Sequence, residues 1–221
     1  MKQYWIIEDH LDRGLYIMPG DTPENELEKV EDTCDECGDF DSVIGKFSNW
    51  NQLKKEMTDV RDWCPYSDEY LKFLVKELKP FVDKNYSTYT DAPHTFMMGS
   101  SMGGLISMYA ICEYPEIFGG AICMSTHWPG IFASENNPIP LAFQNYLKAN
   151  LPNPKTHKIY FDFGTETLDK LYEPYQIKVD EIMKAKKFGK KNWQTLKFEG
   201  EDHSEKSWAK RLSIPLAFML K

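Results

Sequence analysis

The sequence predicts one α/β domain: a mainly parallel central sheet with helices on both faces. Three observations carry that expectation. Short apolar runs alternate with segments of helical periodicity from about residue 67 to the end of the chain. Gly120–Met124 is apolar without alternation, as in a strand buried on both faces of a parallel sheet. The stretch Thr95 to Tyr109 passes from an apolar run through Gly-x-Ser-x-Gly directly into a helical pattern. With 221 residues, 42% of them hydrophobic and 14% aromatic, residues 1–221 can bury one sizeable core and are too few for two comfortable domains.

Taken in order, residues 1–65 are the least readable part of the chain. Tyr4–Ile7 and Leu15–Met18 read as strands around a polar turn that ends in Arg13-Gly14. Pro19 to Asp41 is acidic and carries Pro, Gly and Asn, so it reads as a long loop, and Trp50 to Val60 as a short helix. From Ser67 to Asn85 a helix is expected. Ser67 suits its N-cap, Asp68 and Glu69 its first turn, and Leu71, Leu74, Val75, Leu78 and Val82 its apolar face. Pro80 should kink it or split off its last turn. Thr95–Met98 is the next strand, and the helix after it should end near Glu113-Tyr114-Pro115. Residues 128–154 hold five prolines and patchy periodicity, as an excursion over the active-site end of a sheet would. Lys158–Phe163 is a strand closed by Gly164, residues 169–188 a helix, and Trp193–Phe198 a strand. Ser204–Leu220 reads as one amphipathic helix in which Pro215 is a kink.

Composition narrows the function classes. A formal charge of −8 offers no surface for nucleic acid or an anionic membrane. No apolar run approaches the ~20 residues of a membrane span. The opening MKQYWIIEDHLDRG meets acids too soon for a secretory signal, so a cytoplasmic location is expected, with a leader removed upstream left open. Five cysteines cannot form a complete set of internal disulfides, and Cys112 and Cys123 read as buried thiols. Cys34 and Cys37 form one C-x-x-C in an acidic stretch without a second pair, which leaves a solvated loop and no metal site. Neither G-x-G-x-x-G nor a P-loop is present, and no cofactor is expected.

The chemistry gathers at Gly99-Ser100-Ser101-Met102-Gly103. By composition alone such a pattern arises in roughly a few per cent of chains of this length, and its flanking strand and helix supply the specificity. In a nucleophile elbow the serine's backbone is strained, so the residues two positions either side must lack bulk, the role of Gly99 and Gly103. The Met102 N–H, first of the following helix, would face the charge that develops on an attacked carbonyl. A serine hydroxyl needs a base, and the base an orienting acid. Of five histidines, only His203 follows a late strand in a loop before the last helix. For the acid, Glu166 and Asp169 both follow the 158–163 strand, and spacing does not separate them. His127 and Trp128 are expected to line the mouth of the site.

The segments Tyr70–Val82, Met98–Ser107, Tyr114–Phe118, Asp162–Asp169 and Gly200–His203, with Trp208, resemble the Putative esterase family, the esterase D and enterochelin-esterase-like branch of the α/β-hydrolase fold. The resemblance runs over roughly residues 66–221. It implies a serine ester hydrolase without metal or cofactor. Related members act on feruloyl and acetyl esters of plant polysaccharides, on S-formylglutathione and on siderophore esters. It implies Ser101 as nucleophile, His203 as base and, through its Leu-Asp element, Asp169 over Glu166 as acid. A small-molecule or saccharide-linked ester is then the expected partner, and a homo-oligomer is compatible with the sequence. One departure stands out, in the N-terminal part, residues 1–65, which is divergent and shortened against the family. The family's His-containing loop, which supplies a second oxyanion donor, has its nearest counterpart in Leu15–Asp21, where Pro19 has no N–H to give. A non-catalytic binding module on this fold, or a thioesterase or acyltransferase with the same three residues, are the competing readings.

Overall fold

The computed structural model describes residues 4–9, 14–19, 30–31, 67–130 and 137–221. The expected 50–60 helix, most of the 19–41 loop and the Cys34/Cys37 pair lie outside them. Among the described residues the strands are β1 (Tyr4–Asp9), β2 (Gly14–Pro19), β3 (Val30–Glu31), β4 (Phe96–Ser100), β5 (Gly120–Met124), β6 (Lys158–Gly164) and β7 (Trp193–Phe198). They form one sheet in the order β3-β2-β1-β4-β5-β6-β7. β1 pairs parallel with β4 in the register Ile7↔Met98, and β4 to β7 continue in parallel, while β2 runs antiparallel to β1 and to β3.

Period-two alternation divides the sheet's two faces. Met97, Ala121, Cys123, Ile159 and Phe161 point into one apolar layer, and Met98, Ile122, Met124 and Tyr160 into the other. The first layer is completed by α1 (Ser67–Phe73) with its continuation α2 (Lys79–Asn85), α3 (Met102–Glu113), α4 (Ile139–Asn150) and α5 (Glu173–Ala185). The second is completed by α6 (Glu205–Arg211) and α7 (Ser213–Leu220), which bring Trp208, Leu212, Leu216 and Met219. Burial pushes the Cys112 and Cys123 thiols above their ordinary range, which keeps them protonated and inert.

Four segments depart from the sequence expectation, each for a local reason. The helix interrupted by Pro80 yields not at its last turn but just upstream, where Leu74–Leu78 widens into a π-helical turn before α2. Proline cannot donate to the carbonyl of residue 76 and crowds it, and the wider turn makes room. Residues 169–188 split into a 3-10 turn at Asp169–Leu171 and α5, whose start carries a proline, and Lys187 ends the segment in the left-handed region at φ 67°. The last helix breaks at Leu212 rather than bending, because Pro215 has no N–H for the carbonyl of Arg211. Within the supposed excursion, Ile139–Asn150 is a regular helix, and Ile139, Phe143 and Leu147 bury one stripe of it. Its prolines, Pro138 and Pro140, stand at the helix start, where a missing N–H costs nothing.

Candidate active site

β4 ends at Ser100, and Ser101 takes φ 56° and ψ −113° before α3 begins at Met102. That backbone is rare for a residue with a side chain and costs of order 1–3 kcal/mol. α3 can carry it. Its residues Met102–Cys112 are all buried, and each large apolar one stabilises the fold by about 1.5–3 kcal/mol. Ser101 is pinned on both sides. Its N–H donates to the Met124 carbonyl at 2.9 Å, and its carbonyl accepts from His127 N at 3.1 Å and Gly104 N at 3.2 Å. The Met102 N–H, at the first helical position, has no partner within the helix.

The steric need at the elbow falls on Gly99 and not equally on both glycines. A Cβ on Gly99 would stand 2.4–2.6 Å from the backbone of Gly103, whereas a Cβ on Gly103 meets nothing within 4 Å. Gly99→Ala is therefore expected to cost about 1–3 kcal/mol by overpacking and about 10²-fold in kcat/KM by displacing the nucleophile. Gly103→Ala should leave melting temperature and activity near wild type. Thermal melts and an ester assay on the two variants check the ranking.

Three predicted residues meet. His203 Nε2 lies 2.9 Å from Ser101 Oγ, and His203 Nδ1 lies 2.5 Å from Asp169 Oδ1. The His203 loop is fastened to the loop after β6. Thr165 N and Glu166 N both donate to the Glu201 carbonyl, at 2.9 and 3.0 Å, and His203 N donates to Thr167 Oγ1 at 2.9 Å. Gly164 permits this approach, since a Cβ there would sit 2.1 Å from the Glu201 oxygen. Asp169 is fully buried, and its Oδ2 accepts from Gly164 N at 2.6 Å. It heads the 3-10 turn without capping it.

Two predicted residues are elsewhere. Glu166 is exposed, held by its backbone to the His203 loop while its carboxylate reaches only Thr165 Oγ1, at 3.4 Å. Trp128, expected at the mouth, is instead a core side chain. Its indole packs against Phe143 and Phe161, and Nε1 donates to Gln176 Oε1 at 2.9 Å. Turning inward satisfies both its apolar area and its one donor. Of the Leu15–Asp21 segment, the described residues Leu15–Pro19 are also displaced as an oxyanion candidate. In the β1–β2 pair Pro19 faces Tyr4 and Gly14 faces Asp9. Because β1 is parallel to β4, Ser101 lies at the Asp9–Gly14 end, and β2 runs away from it.

The sequence reading missed Tyr172, which stands between two imidazoles. Its hydroxyl is 2.7 Å from His127 Nδ1 and 3.5 Å from His203 Nδ1, with edge-on ring contacts to both. Burial first, then the Asp169 charge, push its phenol above the ordinary value, so it remains a neutral hydroxyl. Ser125 and Arg211, which reach Asp169 from behind, were also missed. Only Arg211's place among apolar residues of the last helical segment hinted at a buried charge.

Comparisons with known proteins agree with this architecture. Residues 36–218 match the family described as Putative esterase. A 65-residue stretch is 37% identical to an endo-1,4-beta-xylanase/feruloyl esterase of Xylanibacter ruminicola, covering 28% of this chain and 9% of that protein. Among solved structures, a ferulic acid esterase superposes with a TM-score of 0.54 at 19% identity, over 68% of this chain and 60% of that one. An enterochelin esterase of Shigella flexneri superposes with a TM-score of 0.53 at 21% identity, over 69% of this chain and 37% of that one. The chain thus spans less than two thirds of each of these proteins. At such identities the likeness speaks for the α/β-hydrolase fold alone.

Proposed function

The chain belongs to the Putative esterase family, and on that premise we propose that it is a serine carboxylesterase acting through an acyl-enzyme. The observation that carries this reading is the continuous hydrogen-bonded run from Ser101 Oγ through the His203 imidazole to Asp169. With its Nδ1 proton held on Asp169, His203 presents an Nε2 lone pair to the serine hydroxyl. As Oγ attacks the ester carbonyl, its proton passes to Nε2, and the oxyanion forms in front of the α3 N-terminus, where the Met102 N–H receives it. The imidazolium then protonates the departing alcohol. Water, deprotonated by the same nitrogen, hydrolyses the acyl-Ser101 ester and restores the free hydroxyl.

The substrate class that fits is a small-molecule or saccharide-linked ester, and the names of the similar proteins suggest feruloyl esters and enterochelin as the first to try. The test is turnover of a panel of p-nitrophenyl, feruloyl and acetyl esters alongside matched thioesters. Ester hydrolysis that disappears in a nucleophile variant supports the reading. A strong preference for thioesters would move it to a thioesterase, and no turnover of either class to a binding module.

The pH dependence has a definite sign. The base must be neutral to accept the serine proton, so kcat/KM should rise with pH through one ionisation of the imidazole. Tyr172, held protonated, adds no second change across neutrality. Initial rates under low substrate between pH 5 and 8 check this, and a flat profile in an active enzyme would point to another base.

A further inference from the structure

Asp169 has two oxygens, and the reaction just described uses one. The other is held by a buried group that has no part in it. Ser125, the residue after β5, is fully buried and sits in the left-handed region at φ 43°. Its Oγ lies 2.5 Å from Asp169 Oδ2, 2.9 Å from Trp208 Nε1 and 2.8 Å from Arg211 Nη2. An indole N–H and a guanidinium can only donate, so both lone pairs of Oγ are taken and its one proton has a single place to go, Asp169. The hydroxyl is thus locked without reference to any hydrogen position.

Arg211 Nη2 also bonds Asp162 Oδ1 at 3.0 Å and stands 4.0 Å from Asp169 Oδ2. All three charged side chains are at least 97% removed from solvent, so their pairing is not screened by water. One guanidinium therefore faces two carboxylates, and its direct partner is Asp162. That leaves the Asp169 charge only partly offset, by Arg211 at 4.0 Å, until the imidazolium forms beside it, which favours proton transfer to His203. A direct Arg211–Asp169 bridge would cancel that advantage and draw the carboxylate away from the imidazole.

We propose that Ser125 is a positioning residue of the site: it pins Asp169 Oδ2, together with the Gly164 N–H, and spaces Arg211 from the carboxylate so that Oδ1 belongs to His203 alone. The proposal rests on the Ser101–His203–Asp169 reading. It explains why a strained, non-glycine residue stands at the end of β5. Backbone at φ 43° would be easier for glycine, but glycine has no hydroxyl to offer.

The experiment compares Ser125→Ala and Ser125→Gly with wild type. Both remove the hydroxyl, while the glycine variant relieves the backbone and guards against a misfolded alanine variant. Both should lose about 10- to 100-fold in kcat with KM within about twofold. The low-field proton resonance of the His203–Asp169 hydrogen bond should weaken or move in both, whatever their melting temperatures. Wild-type kcat and an unmoved resonance in Ser125→Gly would overturn the proposal, as would a loss that tracks melting temperature across the two variants. Ser101→Ala, assayed alongside, separates the two readings. If it remains active the nucleophile assignment fails, whereas an inactive Ser101→Ala with a fully active Ser125→Gly removes the positioning role only.

Discussion

Ser101→Ala is expected to lower ester turnover by about 10⁵- to 10⁶-fold, the scale on which removal of a triad nucleophile is felt. Nothing beside it can substitute. Ser100 is the last residue of β4, and on a strand its side chain points away from that of its neighbour. The residual rate would come from the α3 N-terminus and from binding. Stability should change little, because the hydrogen bond of the Ser101 hydroxyl to the part-buried His203 imidazole is worth about 1 kcal/mol. The strained φ is kept by alanine. Burst-phase and steady-state assays with a melting curve on the same preparation read both halves of this expectation.

Asp169→Asn is expected to lower kcat by about 10⁴-fold. Every hydrogen-bond partner of this carboxylate donates to it: His203 Nδ1, Gly164 N and Ser125 Oγ, on two oxygens. An amide offers one oxygen and one NH₂ to the same donors. If the oxygen stays with Gly164 and Ser125, the NH₂ faces Nδ1 and forces the imidazole into the wrong tautomer, with its proton aimed at Ser101. If the amide turns over, two buried donors face another donor, at about 1–3 kcal/mol for each one left unpaired. The variant should therefore also melt a few degrees lower, but that loss is far too small to explain 10⁴ in rate. Glu166→Gln is the control. Its carboxylate is exposed and bonds only Thr165, so turnover should stay within about twofold of wild type. A large loss at Glu166 with a mild one at Asp169 would reverse the assignment.

The legible and illegible parts of this chain divide by the range of the interactions that set them. β4, the elbow, α3, β5, β6 and β7 are written in runs of a few residues, and their limits in the structure lie within two residues of the expectation. The strand–elbow–helix context located Ser101, and a loop between the last strand and last helical segment located His203. Spacing did not tell whether Glu166 or Asp169 reaches the imidazole, because both stand within five residues of Gly164, and only the family resemblance favoured Asp169. The 3-10 turn that begins at Asp169 follows a loop whose Thr165 and Glu166 N–H groups bond Glu201, 35 or more residues away in the sequence. Ser125, Tyr172 and Arg211 come from three separate elements, and no local pattern joins them. Trp128 was misplaced for a related reason. Its position after β5 fits either a pocket wall or a core, and the partners that decide it, Phe143 and Gln176, lie on helices α4 and α5. Breaks at Leu74–Leu78 and Leu212 show the opposite case. Proline announced each interruption, but its effect appears at the carbonyl four residues upstream rather than at the proline itself.

The central claim is that Ser101 is an activated nucleophile, and covalent labelling measures that directly. Treatment with a fluorophosphonate, followed by mass spectrometry of the Gly99–Gly103 peptide with fragmentation to resolve Ser100 from Ser101, should give a single adduct. That adduct should sit on Ser101 and be absent from Ser101→Ala. An unlabelled protein that nevertheless hydrolyses esters, or an adduct on Ser100 or any other residue, would contradict the account.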